Sequence, residues 1–320
     1  MLSSIADAQW QEFHELGYLK LGRLEEGQLR TLQTRIDEIM LGKARIDYDK
    51  LLMQLDSTTG AYEDAGAQSL GFKGPTLDYR KIQELEHDEE FRDYLLDPLF
   101  REICARVYGK EMPVAVFRAM FMNKPARRGT FLPWHQDRWT TLDRDPQITV
   151  WTALDPATKE NGCVQIIPKS HQHGLINPTH PSGFLNKAQA AAICTPERIV
   201  YVELEAGEVM LLHNYLLHAS DINRSSQSRR AFSVCYMEAA TLENGTSGKF
   251  PAVFGQEKQK DGTGRLTELI PADKARAPRT ASALQLATSS IICEPITSVA
   301  PALWLPPTIP PRGSLEKNPS

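Results

Sequence analysis

Cysteine is scarce in this chain of 320 residues, with five copies (Cys104, Cys163, Cys194, Cys235 and Cys293) and no C-x-x-C pair. An odd, scattered set argues against a disulfide framework and a Cys-based zinc site, and predicts reduced thiols in a reducing compartment. Surplus positive charge is also lacking: 36 Lys and Arg stand against 40 Asp and Glu, a net charge of −4. A phosphate-backbone binder normally tips that balance the other way, so nucleic acid is not an expected partner. No run approaches the ~20 consecutive apolar residues of a membrane span. Residues 1–20 carry Asp7, Glu12 and Glu15 where a signal peptide has a basic start and an apolar stretch. These absences predict a soluble, cytoplasmic protein with neither a membrane nor a nucleic acid as partner.

Aromatics are nearly missing from one end. Trp304 is the single one of 25 beyond Phe254, whereas nine of the 21 prolines fall in residues 256–320. A Pro/Ser/Thr-rich stretch without aromatics is poorly equipped to build a core, so residues 256–320 are expected to be a looping or disordered appendage. The working domain is placed at 1–255. Its first third reads helical. Ile5, Ala8, Trp10, Phe13 and Leu16 suit a short amphipathic helix, with Ser4 as a cap and Gly17 as its end. Tyr18 to Leu21 reads as a strand, Leu29 to Met40 as a second helix and Pro98 to Tyr108 as a third. Beyond Val114 the apolar runs become strand-length: Val114–Met122, Ile148–Ala153, Cys163–Ile167, Ile199–Leu204, Val209–His213 and Ala231–Met237. The predicted class is mainly β, a sandwich or barrel with flanking helices.

Among eight histidines, at 14, 87, 135, 171, 173, 180, 213 and 218, the informative one lies in Trp134-His135-Gln136-Asp137. Alternate residues of a strand face one side, so His135 and Asp137 can aim an imidazole and a carboxylate at one point. One more histidine would complete a 2-His-1-carboxylate face with open positions for ferrous iron. His218 and His213 both compete for that place. His171 and His173, after Pro168-Lys169-Ser170, read as a loop pair with a structural role.

His218 opens His218-Ala219-Ser220-Asp221-Ile222-Asn223, with Arg229 and Arg230 downstream at the head of a β-prone run. Together with Arg80-Lys81-Ile82-Gln83, Asn123-Lys124-Pro125, Trp151-Thr152-Ala153-Leu154, Asn161-Gly162-Cys163, Pro168 to His171 and Gly207-Glu208, in this order, the chain resembles the phytanoyl-CoA dioxygenase family. That family comprises non-haem iron, 2-oxoglutarate-dependent oxygenases. The matching segments span most of residues 1–255 and none falls in 256–320.

The resemblance implies a double-stranded β-helix (jelly-roll or cupin-like) core holding Fe(2+) on His135, Asp137 and His218. It implies that Arg229 grips the far carboxylate of 2-oxoglutarate, that Ser220 adds a hydroxyl, and that Lys81, Met120 and Trp151 line the cosubstrate. Lys81 would otherwise be a surface lysine, and Met120 and Trp151 ordinary core. Arg230 is expected on the opposite face, toward solvent, and Gln136 away from the metal. With O2 as co-reactant, the implied activity oxidises an unactivated C–H bond of a small-molecule substrate and releases succinate and CO2. Halogenating relatives replace the carboxylate ligand by a small residue, so Asp137 points to a hydroxylase. A metal-binding, cupin-like binding or sensor protein is the alternative, and a zinc hydrolase lacks an H-E-x-x-H motif. Arg127, Arg128, Arg138 and Arg144 suggest an anionic substrate or plain solvated charges. Phe131, Trp134 and Trp139 suggest a pocket wall or core packing.

Overall fold

The computed structural model describes residues 1–245 and 250–255; residues 246–249 and the expected appendage at 256–320 lie outside the described residues. Helix α1 (Asp7–Leu16) starts where the Gln9 side chain accepts from the Ala6 N–H, so Ser4 is not its cap. It ends at Gly17, whose φ of 83° lies in the left-handed region. A side chain there would also collide with the His171 ring, 2.5 Å from an added Cβ. Strand β1 (Tyr18–Arg23) and helix α2 (Glu26–Met40) follow, then short strands β2 (Leu52–Leu55), β3 (Ser69–Leu70) and β4 (Tyr79–Gln83).

Helices α3 (Glu89–Leu95) and α4 (Pro98–Tyr108) come next, capped by the Asp88 and Asp97 carboxylates, which accept from Phe91 N and Leu99 N. The α4 bounds are those expected, with Pro98 in the first turn, where no intrahelical N–H is needed. The seven residues of α3 are too few for a helical period to show in sequence. From Val114 the chain is mostly strand: β5 (Val114–Lys124), β6 (Leu132–His135), β7 (Ile148–Ala153) and β8 (Val164–Ile166). After helix α5 (Lys187–Ile193) come β9 (Val200–Val202), β10 (Glu208–His213), β11 (His218–Ser220), β12 (Arg229–Glu238) and β13 (Ala252–Phe254).

Nine strands form one sheet, ordered β1-β10-β7-β12-β5-β4-β2-β3 with β13 also on β5, and four form a second, β6-β11-β8-β9. The pairings are antiparallel. Period-two alternation divides the large sheet between two cores. Leu19, Leu21, Phe121, Val150, Leu211, Phe232 and Val234 face outward into a core shared with Phe13 of α1, Ile36 of α2, Phe91 of α3 and Phe100 of α4. Trp151, Ala153, Met210, Leu212 and Ala231 face inward, against Val164, Ile166 and Val202 of the small sheet. Two facing antiparallel sheets with helices on one outer face are the double-stranded β-helix.

The same alternation separates the paired arginines. Arg230 faces outward, but it is not a solvent residue, which corrects the sequence expectation. Its Nε and one terminal nitrogen donate to the two Asp155 carboxylate oxygens at 2.8 Å each, and the other terminal nitrogen to Asp37. The two side chains are only 18% and 15% exposed, so the ion pair is largely desolvated and removing one partner strands the other. Arg230→Ala is expected to destabilise the fold by about 3 kcal/mol. Urea unfolding checks this, and a change below about 1 kcal/mol would place the pair among weak surface contacts.

Candidate metal centre

The small sheet brings the two histidines together. β6 pairs with β11 so that His135 and His218 are direct register partners, and their ring centroids are 4.1 Å apart. His135 Nε2 lies 3.9 Å from Asp137 Oδ1, and His218 Nε2 lies 4.0 Å from Asp137 Oδ2. The three groups can each offer a donor atom within 4.8 Å of the other two. Ligand bonds of about 2.1 Å at right angles separate donors by about 3 Å, so binding would draw the three together by about 1 Å.

The tautomers suit a cation. His135 Nδ1 donates to the Pro133 carbonyl at 2.8 Å and His218 Nδ1 to the Leu216 carbonyl at 2.9 Å. A carbonyl only accepts, so each proton sits on Nδ1 and each Nε2 lone pair is left to face Asp137. Burial pushes the His135 pKa well below its ordinary value, with the positive potential of His218 and Lys81 adding to it. A neutral imidazole is the form that ligates. The donor set and its protonation therefore fit a divalent metal.

Residues around the triad hold it in shape, and several escaped the sequence reading. Phe184 stacks on the His135 ring, with centroids 5.0 Å apart and planes inclined by 27°. Asn214 fixes the turn after β6: its carbonyl accepts from Asp137 N at 2.7 Å, its Nδ2 donates to Pro146 O, and its Oδ1 accepts from Thr149 Oγ1. Gln136 is fully buried and points away from the metal centre, as expected. Its Nε2 donates to Gly174 O at 2.7 Å and Tyr215 O at 2.8 Å, while its Oε1 accepts from Ile176 N at 2.8 Å. Gly183, with φ of 66°, lets this backbone close in, since a Cβ there would meet Gln136 O at 2.2 Å. Neither Phe184 nor Asn214 belongs to a motif, and only their nonlocal contacts reveal them.

The facing large sheet carries the other expected residues except Ser220. Arg229, Met120 and Trp151 share its inward side through the register pairs Ser233↔Met120 and Ser233↔Trp151 on β12. Arg229 is 4% exposed, its Nε is buried without a partner, and its guanidinium lies 5.6 Å from the Trp151 ring centroid. Burial pushes its pKa down to about 10, with Cys163 and Asp155 opposing that shift. Ser220 is buried on β11, two residues beyond His218. Lys81 on β4 is half-buried. Burial, and then the charges of Arg80 and Arg118, hold its pKa well below the usual lysine value, while Asp137 pulls it back up. It lies within the electrostatic reach of the centre and is no ordinary surface lysine.

Residues outside the triad take structural parts. His213 sits apart, its Nδ1 accepting from Tyr215 N at 3.0 Å and its ring 4.9 Å from that of His171. Burial, followed by repulsion from His171 and His14, pushes its pKa from 6.5 down to about 4. The native state therefore holds His213 neutral where the unfolded chain binds a proton. Stability is expected to be greatest above pH 6.5 and to fall as pH drops toward 4. His213→Gln should flatten part of that fall in urea midpoints, and an unchanged pH profile would contradict the neutral histidine. Arg128 pairs with Asp78 at 3.2 Å, Arg138 with Asp145 at 3.8 Å, and Arg144 with Glu238. Those three arginines are engaged with carboxylates of the chain. Trp139 packs against Phe117, with centroids 4.8 Å apart, and Phe131 is 42% exposed.

The family model described as phytanoyl-CoA dioxygenase (PhyH) matches residues 13–231. The chain belongs to this family. A phytanoyl-CoA dioxygenase of Arabidopsis thaliana is 27% identical over 262 residues, covering 74% of this chain and 90% of that protein. Phytanoyl-CoA dioxygenase domain-containing protein 1 of Bos taurus is 28% identical over 280 residues, covering 75% and 92%. Among solved structures, EctD from S. alaskensis with bound Fe superposes with a TM-score of 0.58 at 19% identity, covering 78% of this chain and 83% of that one. The non-heme alpha ketoglutarate dependent carbocyclase SnoK, from nogalamycin biosynthesis, gives 0.54 at 20% identity, covering 76% and 88%. The chain shares its double-stranded β-helix fold with these two solved structures, and the family match covers the triad and Arg229 alike. Among the described residues, no helix is long and apolar enough to cross a membrane.

Proposed function

We propose that this chain is an Fe(II)- and 2-oxoglutarate-dependent hydroxylase acting on an unactivated C–H bond of a small-molecule metabolite. One observation carries the reading: three converging donors with bare lone pairs face a sheet whose buried Arg229 has an unpartnered Nε. His135, Asp137 and His218 would hold the metal, and Arg229, helped by Ser220, the far carboxylate of 2-oxoglutarate. The chemistry such a ferrous centre supplies is coupled oxidation: O2 gives one oxygen atom to 2-oxoglutarate, forming succinate and CO2, and one to a substrate C–H bond.

The chain's own groups bind, orient and protect. The Pro133 and Leu216 carbonyls keep each histidine proton on Nδ1, away from the metal side. Arg229 presents a planar fork matched to a carboxylate, which a lysine ammonium cannot reproduce. Trp151, Met120 and Ala231 wall the interior and exclude water, raising the strength of every charge contact within it. Because Asp137 fills the carboxylate position, a halide has no vacated place, and oxygen transfer is the favoured outcome. The family match and the likeness to EctD and SnoK support this reading.

The test is anaerobic loading of the purified chain with Fe(II) and 2-oxoglutarate, followed by O2 and a broad metabolite panel. A visible charge-transfer band on adding 2-oxoglutarate and succinate release are expected. Absence of both would leave a metal-binding protein without oxygenase chemistry.

A further inference from the structure

Strand β4 carries a bulge. Gln54 pairs with Lys81 and Leu55 with Tyr79, so one step along β2 spans two along β4, and Arg80 is the extra residue. Tyr79 and Ile82 both enter the outer core as a result, and Arg80 is turned away from it. Its guanidinium lies 5.0 Å from the Tyr62 ring centroid. Tyr62 meets Phe184 edge-on at 5.4 Å, and Phe184 is the ring stacked on His135. Two aromatic side chains thus form a wall leading from Arg80 to the triad.

Arg80 lacks a counter-ion. It is 7% exposed, and its Nη1 donates to Gln54 Oε1 at 2.9 Å. Among the described residues no carboxylate lies within ion-pair distance of it. Burial pulls its pKa below the ordinary arginine value, with Tyr62 and then Asp56 opposing that shift. Asp56 is committed elsewhere, its oxygens accepting from Gly129 N, Thr130 N and Thr130 Oγ1. Arg128, Arg138 and Arg144, by contrast, each face a carboxylate of the chain. A buried charge without a partner is costly, so Arg80 calls for an anion. The residue keeps some accessible surface, and none of its nitrogens is sealed from solvent without a partner. An incoming group can therefore reach the fork.

We propose that Arg80 sets the substrate class: the substrate bears a carboxylate, which Arg80 grips while the apolar body lies along Tyr62 and Phe184. Calling this ligand a substrate rests on the oxygenase reading, in which Arg229 receives a different carboxylate, that of 2-oxoglutarate. The Arg80 site itself needs neither iron nor cosubstrate.

Titration of the full chain with hexanoate, without iron or 2-oxoglutarate and followed by ligand-observed NMR, tests it. Hexanamide and hexylammonium serve as uncharged and cationic controls. Saturable binding is expected for hexanoate, and binding at least about tenfold weaker for either control. Arg80→Met should weaken hexanoate about 30-fold or more, whereas Arg229→Met should retain it. Arg80→Lys keeps the charge without the fork and should lose about tenfold; it decides alone if Arg80→Met fails to fold. No saturable binding of hexanoate, equal binding of hexanamide, binding unchanged in the Arg80 variants, or binding lost in Arg229→Met would overturn the proposal. The charge-transfer and succinate assays judge the oxygenase reading separately, so either can fail without the other.

Discussion

His218→Ala and Asp137→Ala are each expected to lower turnover by about 1,000-fold or more, the largest effect of any single change in this chain. The reason is chelation. Two imidazoles and one carboxylate converge from β6, the turn after it and β11, and two donors cannot hold a cation as three do. The His218 and Asp137 side chains are 16% and 27% exposed, so neither change opens a cavity in a hydrophobic core. Without metal, stability should stay within about 1 kcal/mol of wild type. A readout independent of activity separates ligation from folding. Adding Mn(II) or Ni(II) should raise the Tm of the wild-type chain by mass action and leave that of each variant unchanged. A variant that keeps both the metal-induced rise and its turnover would remove that residue from the ligand set.

Arg229→Ala is expected to weaken 2-oxoglutarate binding about 100-fold while metal affinity is unchanged, as expected when one partner of a buried charge pair is truncated. Arg229→Lys should recover only part of that loss, because an ammonium is a point charge without a fork. The unliganded protein should respond in the opposite sense. Arg229 is buried with an unpartnered Nε, and burial pushes its pKa down to about 10. Arg229→Met should therefore leave the unliganded chain as stable as wild type or more so. Anaerobic titration of the charge-transfer band measures the first effect, and urea unfolding the second. Unchanged 2-oxoglutarate affinity in Arg229→Ala would count directly against the assigned role.

These two experiments probe features of unequal legibility. The triad spacing was legible because it is local: His135 and Asp137 are two residues apart in an extended segment, and period-two alternation needs no tertiary information. His218 entered through the family resemblance, since residue spacing left His213 in competition. The fold separates them. β6–β11 pairing sets His218 opposite His135, whereas His213 packs beside His171 and the α1 side of the molecule.

The long strands and α2 and α4 could be read from sequence because their apolar periods run over enough residues to be distinct. The short elements could not. β2 and β4 owe their existence to pairing with β5 and each other, a nonlocal reward that outweighs weak local preference.

The sequence by itself determined the chemistry on offer: two histidines, an aspartate and a downstream arginine, set in a mainly β chain of near-balanced charge. Only the tertiary structure decided how those groups are held. It buried Arg229 with an unpartnered Nε and tied its neighbour Arg230 to Asp155 and Asp37, though the two are adjacent and chemically identical. It also brought Phe184 onto His135, and Asn214 beneath Asp137. The physical reason is that alternation along a strand can be read from the chain. Which side becomes interior depends on what residues far away in sequence pack against it.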